Sequence, residues 1–206
     1  LLKNDNKTLP VKEGQSLAVI GTMAKTPRYQ GAGSSQIVPH QLDNLCAAFD
    51  ELNVDYDFAP GYAMEHDEPD EKMIEEAVAT AKDKDLAIVV IGLPGRYESE
   101  GYDRTHLNLP PAHDALVKAI TETGTDVAVV LLAGAPVLMP WRDDVEAILL
   151  PYLGGEGGGT ALAQILTGEV NPSGKLAETF PLRLEDNPSF LHFAQQGLNV
   201  EYRESI

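Results

Sequence analysis

The chain has 206 residues, 43% of them hydrophobic, and a formal net charge of −17 at pH 7. That length and apolar content suit one large domain with a substantial core. The acidity argues against nucleic acid, which needs Lys and Arg against its phosphates, and against docking on anionic membranes; neutral substrates such as sugars are unopposed.

Residues 1–15 precede the first predicted strand. "SLAVIG", residues 16 to 21, is an apolar run ending in glycine, as a buried strand would. A glycine-rich loop follows, "RYQGAGSSQIVP", residues 28 to 39. From Pro39 to Leu52, the apolar residues Leu42, Leu45, Cys46, Phe49 and Leu52 recur at helical spacing. Cys46 is the only cysteine, so no intrachain disulfide can form, and its place on this face predicts burial. "VDYDFAP", residues 54 to 60, reads as a second strand. Residues 67 to 83 read as a helix with Met73, Ile74, Ala77, Val78 and Ala81 on one face, and acidic residues at its start favour the helix dipole.

"DLAIVVIG", residues 85 to 92, is apolar throughout, which predicts a strand buried on both faces of a parallel sheet. The loop "YESEGYDR", residues 97 to 104, comes next. "LPPAHDALVKAITETG" reads as a helix closed by Gly124, and "DVAVVLL", residues 126 to 132, as a buried strand. "VEAILLPYL", residues 145 to 153, is one more. "GGEGGG" leads into the helix "TALAQILTG", and "KLAETFP", residues 175 to 181, reads as an edge strand stopped by Pro181. Residues 182–206 read as an irregular tail outside this alternation, which either packs on the domain or leads toward a further module. Strand and helix alternate from 16 to 181 with short connections. The expected fold is a three-layer α/β sandwich around a mostly parallel sheet of about six strands.

In such sheets, functional loops lie beyond the carboxyl ends of the strands. That edge should gather the "GAGSS", "YESEGYDR", "AGAPVLMPW" and "GGEGGG" loops. "GGEGGGTA" lacks the Lys of a P-loop and the spacing of a dinucleotide fingerprint, so close packing of a turn is the preferred reading over anion or sugar-hydroxyl binding. His40, His66, His106, His113 and His192 show no metal-ligand spacing. No G-x-S-x-G elbow supports a serine hydrolase. Neither a metal nor a cofactor is expected. The carboxylates remain. Glu98 and Glu100 would share a face of an extended segment, and their repulsion would hold one protonated, as a glycosidase acid needs. Arg104 would pair with Asp103 and structure the loop. A plain solvated acidic loop is the competing reading.

The blocks "ESEGYDRTHLNLP", "AGAPVLMPW" and "GGEGGGTALAQILTGEVNPSGKLAETFP", with "QGAGSS" and the opening "LLKNDNKTLPVKEGQSLAVIG", resemble the second domain of glycoside hydrolase family 3. The likeness covers residues 1 to 181 in the family's order, and "EYRESI" resembles the segment leading toward a third, fibronectin-like domain. The resemblance implies a six-stranded α/β sandwich. It implies that residues 1–15 are a linker from a preceding (β/α)8 barrel, which shares the active site and supplies an aspartate nucleophile and most of the sugar pocket. It carries the family's general acid/base onto Glu100, with Glu98 in reserve. The substrate implied is a β-glucoside or oligosaccharide. With no barrel in the 206 residues, the isolated chain is expected to be inactive, with Glu100 more exposed and its pKa closer to that of a free glutamate than in a complete active site. Trp141 is expected in the core or an interface rather than under a sugar.

Two further readings belong to other classes: a non-catalytic carbohydrate-binding or interaction module on the same fold, and a nucleotide-binding domain, which lacks its phosphate fingerprint. The lone thiol and the lack of a leader pattern suggest a cytoplasmic protein.

Overall fold

The computed structural model describes residues 1–101 and 103–191, so "EYRESI", His192 and most of the irregular tail lie outside the described residues. Six strands form one sheet: β1 (Lys3–Asn4), β2 (Leu17–Ile20), β3 (Asp57–Ala59), β4 (Leu86–Gly92), β5 (Asp126–Leu132) and β6 (Ala147–Leu149). Their order is β1-β6-β5-β4-β2-β3. All neighbours are parallel except β1, which runs antiparallel along β6. Every residue of β4 is buried, as its unbroken apolar run requires for a strand paired on both sides.

Four helices complete the layers: α1 (Leu45–Glu51), α2 (Glu71–Ala81), α3 (Pro111–Thr121) and α4 (Gly158–Thr167). The chain crosses from β2 outward to β3, then back past β2 to β4 and on to β5. Right-handed crossovers in opposite directions put their helices on opposite faces. The packing agrees, because α1 meets α4 while α2 meets α3.

The helices begin where side chains can cap them. Asn44 accepts the amide of Ala47, so α1 starts at Leu45 rather than Pro39, and Leu42 lies outside it. Asp70 accepts the amides of Lys72 and Met73, so α2 starts at Glu71. Asp67, read as the start of that helix, instead pairs with Arg96.

The expected edge strand at 175–181 is not a strand. The free edge of β6 is taken by β1, with the Leu2 amide on the Ile148 carbonyl and the Asp5 amide on the Glu146 carbonyl, each at 2.8 Å. Two residues are too few to show an alternating pattern, so this pairing left no mark in a stretch read as a linker. Cys46 and Trp141 are both buried, as their surroundings in the sequence suggested.

The direction of the connections reverses between β2 and β4. Loops leaving these neighbours diverge there and open a crevice at their carboxyl ends. Gly21 ends β2 at a tight approach: a Cβ there would sit 2.0 Å from the Val90 carbonyl oxygen of β4.

Candidate active site

The loops after β2 and β4 meet over this crevice, and Arg28 joins them. The residue is 8% exposed and its guanidinium is surrounded by acceptors. Nη1 donates to the Leu93 carbonyl at 2.9 Å and to Glu98 Oε2 at 2.8 Å; Nη2 donates to the Glu98 carbonyl at 2.9 Å. Nε reaches the Gln30 carbonyl at 3.4 Å. One guanidinium thus holds both the backbone and the carboxylate of Glu98.

A third loop closes on the same carboxylate. The Gly134 amide, just past β5, donates to Glu98 Oε2 at 3.2 Å. A Cβ at Gly134 would stand 2.6 Å from Glu98 Oε1, so only glycine admits the carboxylate this closely. Arg104 is half-buried and donates Nη2 to the Pro136 carbonyl at 2.9 Å. Burial lowers its pKa, the charge of Glu98 raises it, and Arg28 opposes. It therefore ties its loop to the segment after β5, not to Asp103, which is exposed and makes no ion pair with it.

Glu100 is placed differently. It is exposed, and its Oε2 accepts the Ser34 amide at 3.2 Å and the Ser34 hydroxyl at closer range. These two donors, the hydroxyl first, hold its carboxyl below the ordinary glutamate range. That corrects one expectation. Glu98 and Glu100 do not share a face, because Glu98 turns inward to Arg28 while Glu100 turns outward to Ser34.

The fourth loop reaches the same edge. The Gly155 amide donates to the Tyr29 carbonyl at 2.9 Å. The N-terminus of α4 is filled by the chain's own anion: Asp43 accepts the amides of Gly159 and Thr160, both at 2.8 Å. An internal carboxylate thus occupies the position where the sequence left anion or sugar-hydroxyl binding as the lesser reading. Among the described residues, no group of three or more His, Cys, Asp or Glu is placed to hold a metal ion. Trp141 lies in the core with its indole N–H on Asp114 Oδ1 at 2.9 Å.

Sequence reasoning missed Arg28, Ser34, Asp43 and Gly134. For Arg28 a signal existed: it is the one Lys or Arg between residues 26 and 43, on the loop that adjoins a carboxylate-rich neighbour. Ser34 and Gly134 carry no comparable mark.

The profile described as the glycosyl hydrolase family 3 C-terminal domain matches residues 1–206. Thermostable beta-glucosidase B of Acetivibrio thermocellus is 48% identical over 211 residues, covering all of this chain and 28% of that protein. An exo-alpha-(1->6)-L-arabinopyranosidase of Bifidobacterium longum is 39% identical over 216 residues, again covering the whole chain and 28% of the relative. A crystal structure of the Bifidobacterium adolescentis GH3 beta-glucosidase superposes with a TM-score of 0.91 at 40% identity, over 98% of this chain and 30% of that one. The chain therefore spans between a quarter and a third of the length of these relatives.

Proposed function

Because the chain belongs to glycoside hydrolase family 3, matching its C-terminal domain along its whole length, we propose that it contributes the general acid/base of a retaining β-glycosidase, and that Glu100 is that residue. The observation that carries this reading is the carboxyl of Glu100. It is exposed at the mouth of the crevice, with Oε2 anchored by Ser34 and no described group donating to Oε1. A proton-transferring carboxyl must face outward to its substrate, and Glu98, held by Arg28 and Gly134, does not.

The second carboxyl comes from a preceding barrel domain, for which the greater length of the relatives leaves room. In double displacement a barrel aspartate attacks the anomeric carbon while Glu100 protonates the departing glycosidic oxygen. Glu100 then takes a proton from the water that releases the sugar. The acid step needs a protonated Glu100, whereas Ser34 favours the carboxylate. Closure of the barrel supplies the opposing pull, since loss of water and a nearby second carboxylate both raise the pKa. The 206-residue chain alone lacks that partner and should not hydrolyse glycosides. The substrate class we propose is a β-glucoside, after the name of the 48% identical relative.

In the full-length enzyme, Glu100→Gln should lower kcat/KM on β-glucosides with poor leaving groups by about 10²–10⁴-fold. Azide should restore turnover of an activated glucoside by Glu100→Ala. Full activity in either variant removes Glu100 from the role. Cleavage of 4-nitrophenyl α-L-arabinopyranoside without cleavage of the β-D-glucoside would overturn the substrate class alone.

A further inference from the structure

We infer that Ser34 is a positioning residue for Glu100, fixing Oε2 so that Oε1 is the oxygen that exchanges the proton. This rests on the reading of Glu100 as the acid/base. Ser34 gives its amide and its hydroxyl to one oxygen only, Oε2, which therefore cannot itself carry the transferred proton while both bonds last. Among the described residues nothing donates to Oε1. The carboxyl is gripped on one side and open on the other.

The loop bearing Ser34 is built to hold it there. Gln30 closes the loop base, donating Nε2 to the Ile37 carbonyl and accepting the Ile37 amide, both at 2.9 Å. The Gln36 amide donates to the Gly33 carbonyl at 3.2 Å across the tip. Gly33 has φ +87°, and a Cβ there would lie 2.9 Å from the Glu100 Cβ, so the loop backbone packs directly on the acid's own side chain. Arg28, at the foot of the same loop, holds Glu98 two residues away. The β2 loop therefore grips the β4 loop twice, at 98 through Arg28 and at 100 through Ser34.

Among the described residues, no charge competes for this role. From the β2 loop, Arg28 is engaged with Glu98. From the β5 side, the Gly134 amide is also on Glu98. On its own loop, Glu100 has Ser99, the inward-turned Glu98 and the exposed Asp103. Its carboxyl is shifted downward by the two Ser34 bonds, with only burial opposing them.

The test uses the full-length enzyme and cellobiose, whose poor leaving group needs the acid, with kcat/KM followed against pH. The basic limb reports deprotonation of the acid in the free enzyme. Ser34→Ala should move that limb to higher pH and lower kcat about tenfold through lost orientation. Ser34→Thr keeps the hydroxyl and should return the limb toward its original position. A Ser34→Ala enzyme with a raised KM and an unmoved limb would overturn the inference and make Ser34 a substrate contact. Glu100→Gln, run alongside, separates the two claims. If it is fully active, the acid/base reading fails. If it is inactive while the Ser34→Ala limb stays put, only the anchor fails.

Discussion

Arg28 and Glu98 form the most buried ion pair among the described residues, 2.8 Å apart with side chains 6% and 22% exposed. At that depth, removing one partner costs more than the pair itself contributes, because the other charge stays behind without water. Arg28→Met should destabilise the domain by about 3–5 kcal/mol, since it strands the Glu98 carboxylate and also the carbonyls of Leu93 and Glu98. Glu98→Ala should cost less, about 1–3 kcal/mol, since Arg28 keeps its carbonyl acceptors. Urea denaturation of the two variants checks the ranking. A Glu98→Ala chain of unchanged stability, in an enzyme that has lost hydrolysis, would make Glu98 the chemical residue instead. The sequence left these two glutamates open because both flank Ser99 in an unpatterned loop. What separates them is a pair of partners on a distant loop, Arg28 and Ser34, and no local spacing encodes such a contact.

At the scale of elements, the best-read segments are those whose burial is uniform. The strands β4 and β5 follow their apolar runs to within a residue, because burial on both faces admits no polar position. An apolar period that runs past a helix cap overstates the helix, as at Leu42, which lies before the cap Asn44. The packing of α1 against α4 has a polar clasp that no periodicity could show. Asp43 leaves the α1 approach and takes two backbone amides of α4 116 and 117 residues away. It acts as an N-cap supplied from another segment, with Thr160 adding its hydroxyl. The backbones come close here, since a Cβ on Gly159 would lie 2.5 Å from the Asn44 carbonyl carbon. Asp43→Ala should therefore lower stability by about 1–2 kcal/mol, and Asp43→Asn by less, because one amide oxygen still accepts. Thermal melts of the two variants measure this; equal melting temperatures for wild type and Asp43→Ala would remove the clasp from the account.

Across the whole molecule, the acidic surface and the buried sheet meet at Asp114. This α3 residue lies largely under the chain, bonded to the indole of Trp141 at 2.9 Å. Burial pushes its carboxyl up to about 6, and the Trp141 bond pulls only weakly the other way. An unfolded aspartate titrates near 3.9. Between these values the folded chain binds the proton more readily than the unfolded one, so this residue's contribution to stability falls as pH rises through about 4 to 6 and stays lost above. With allowance for solvent reaching a partly exposed group, the loss is about 1–2 kcal/mol. Asp114→Asn keeps an oxygen for the Trp141 N–H and cannot ionise. The variant should match wild type near pH 3, below the unfolded value, and exceed it by that amount at pH 8. The chain's other ionisable groups shift both proteins alike, so the difference isolates Asp114. Denaturant titrations at the two pH values are sufficient. A gap of the same size at both would mean that Asp114 acts through packing rather than through its proton, and an advantage for wild type at pH 8 would mean that its charged form is welcome in the fold.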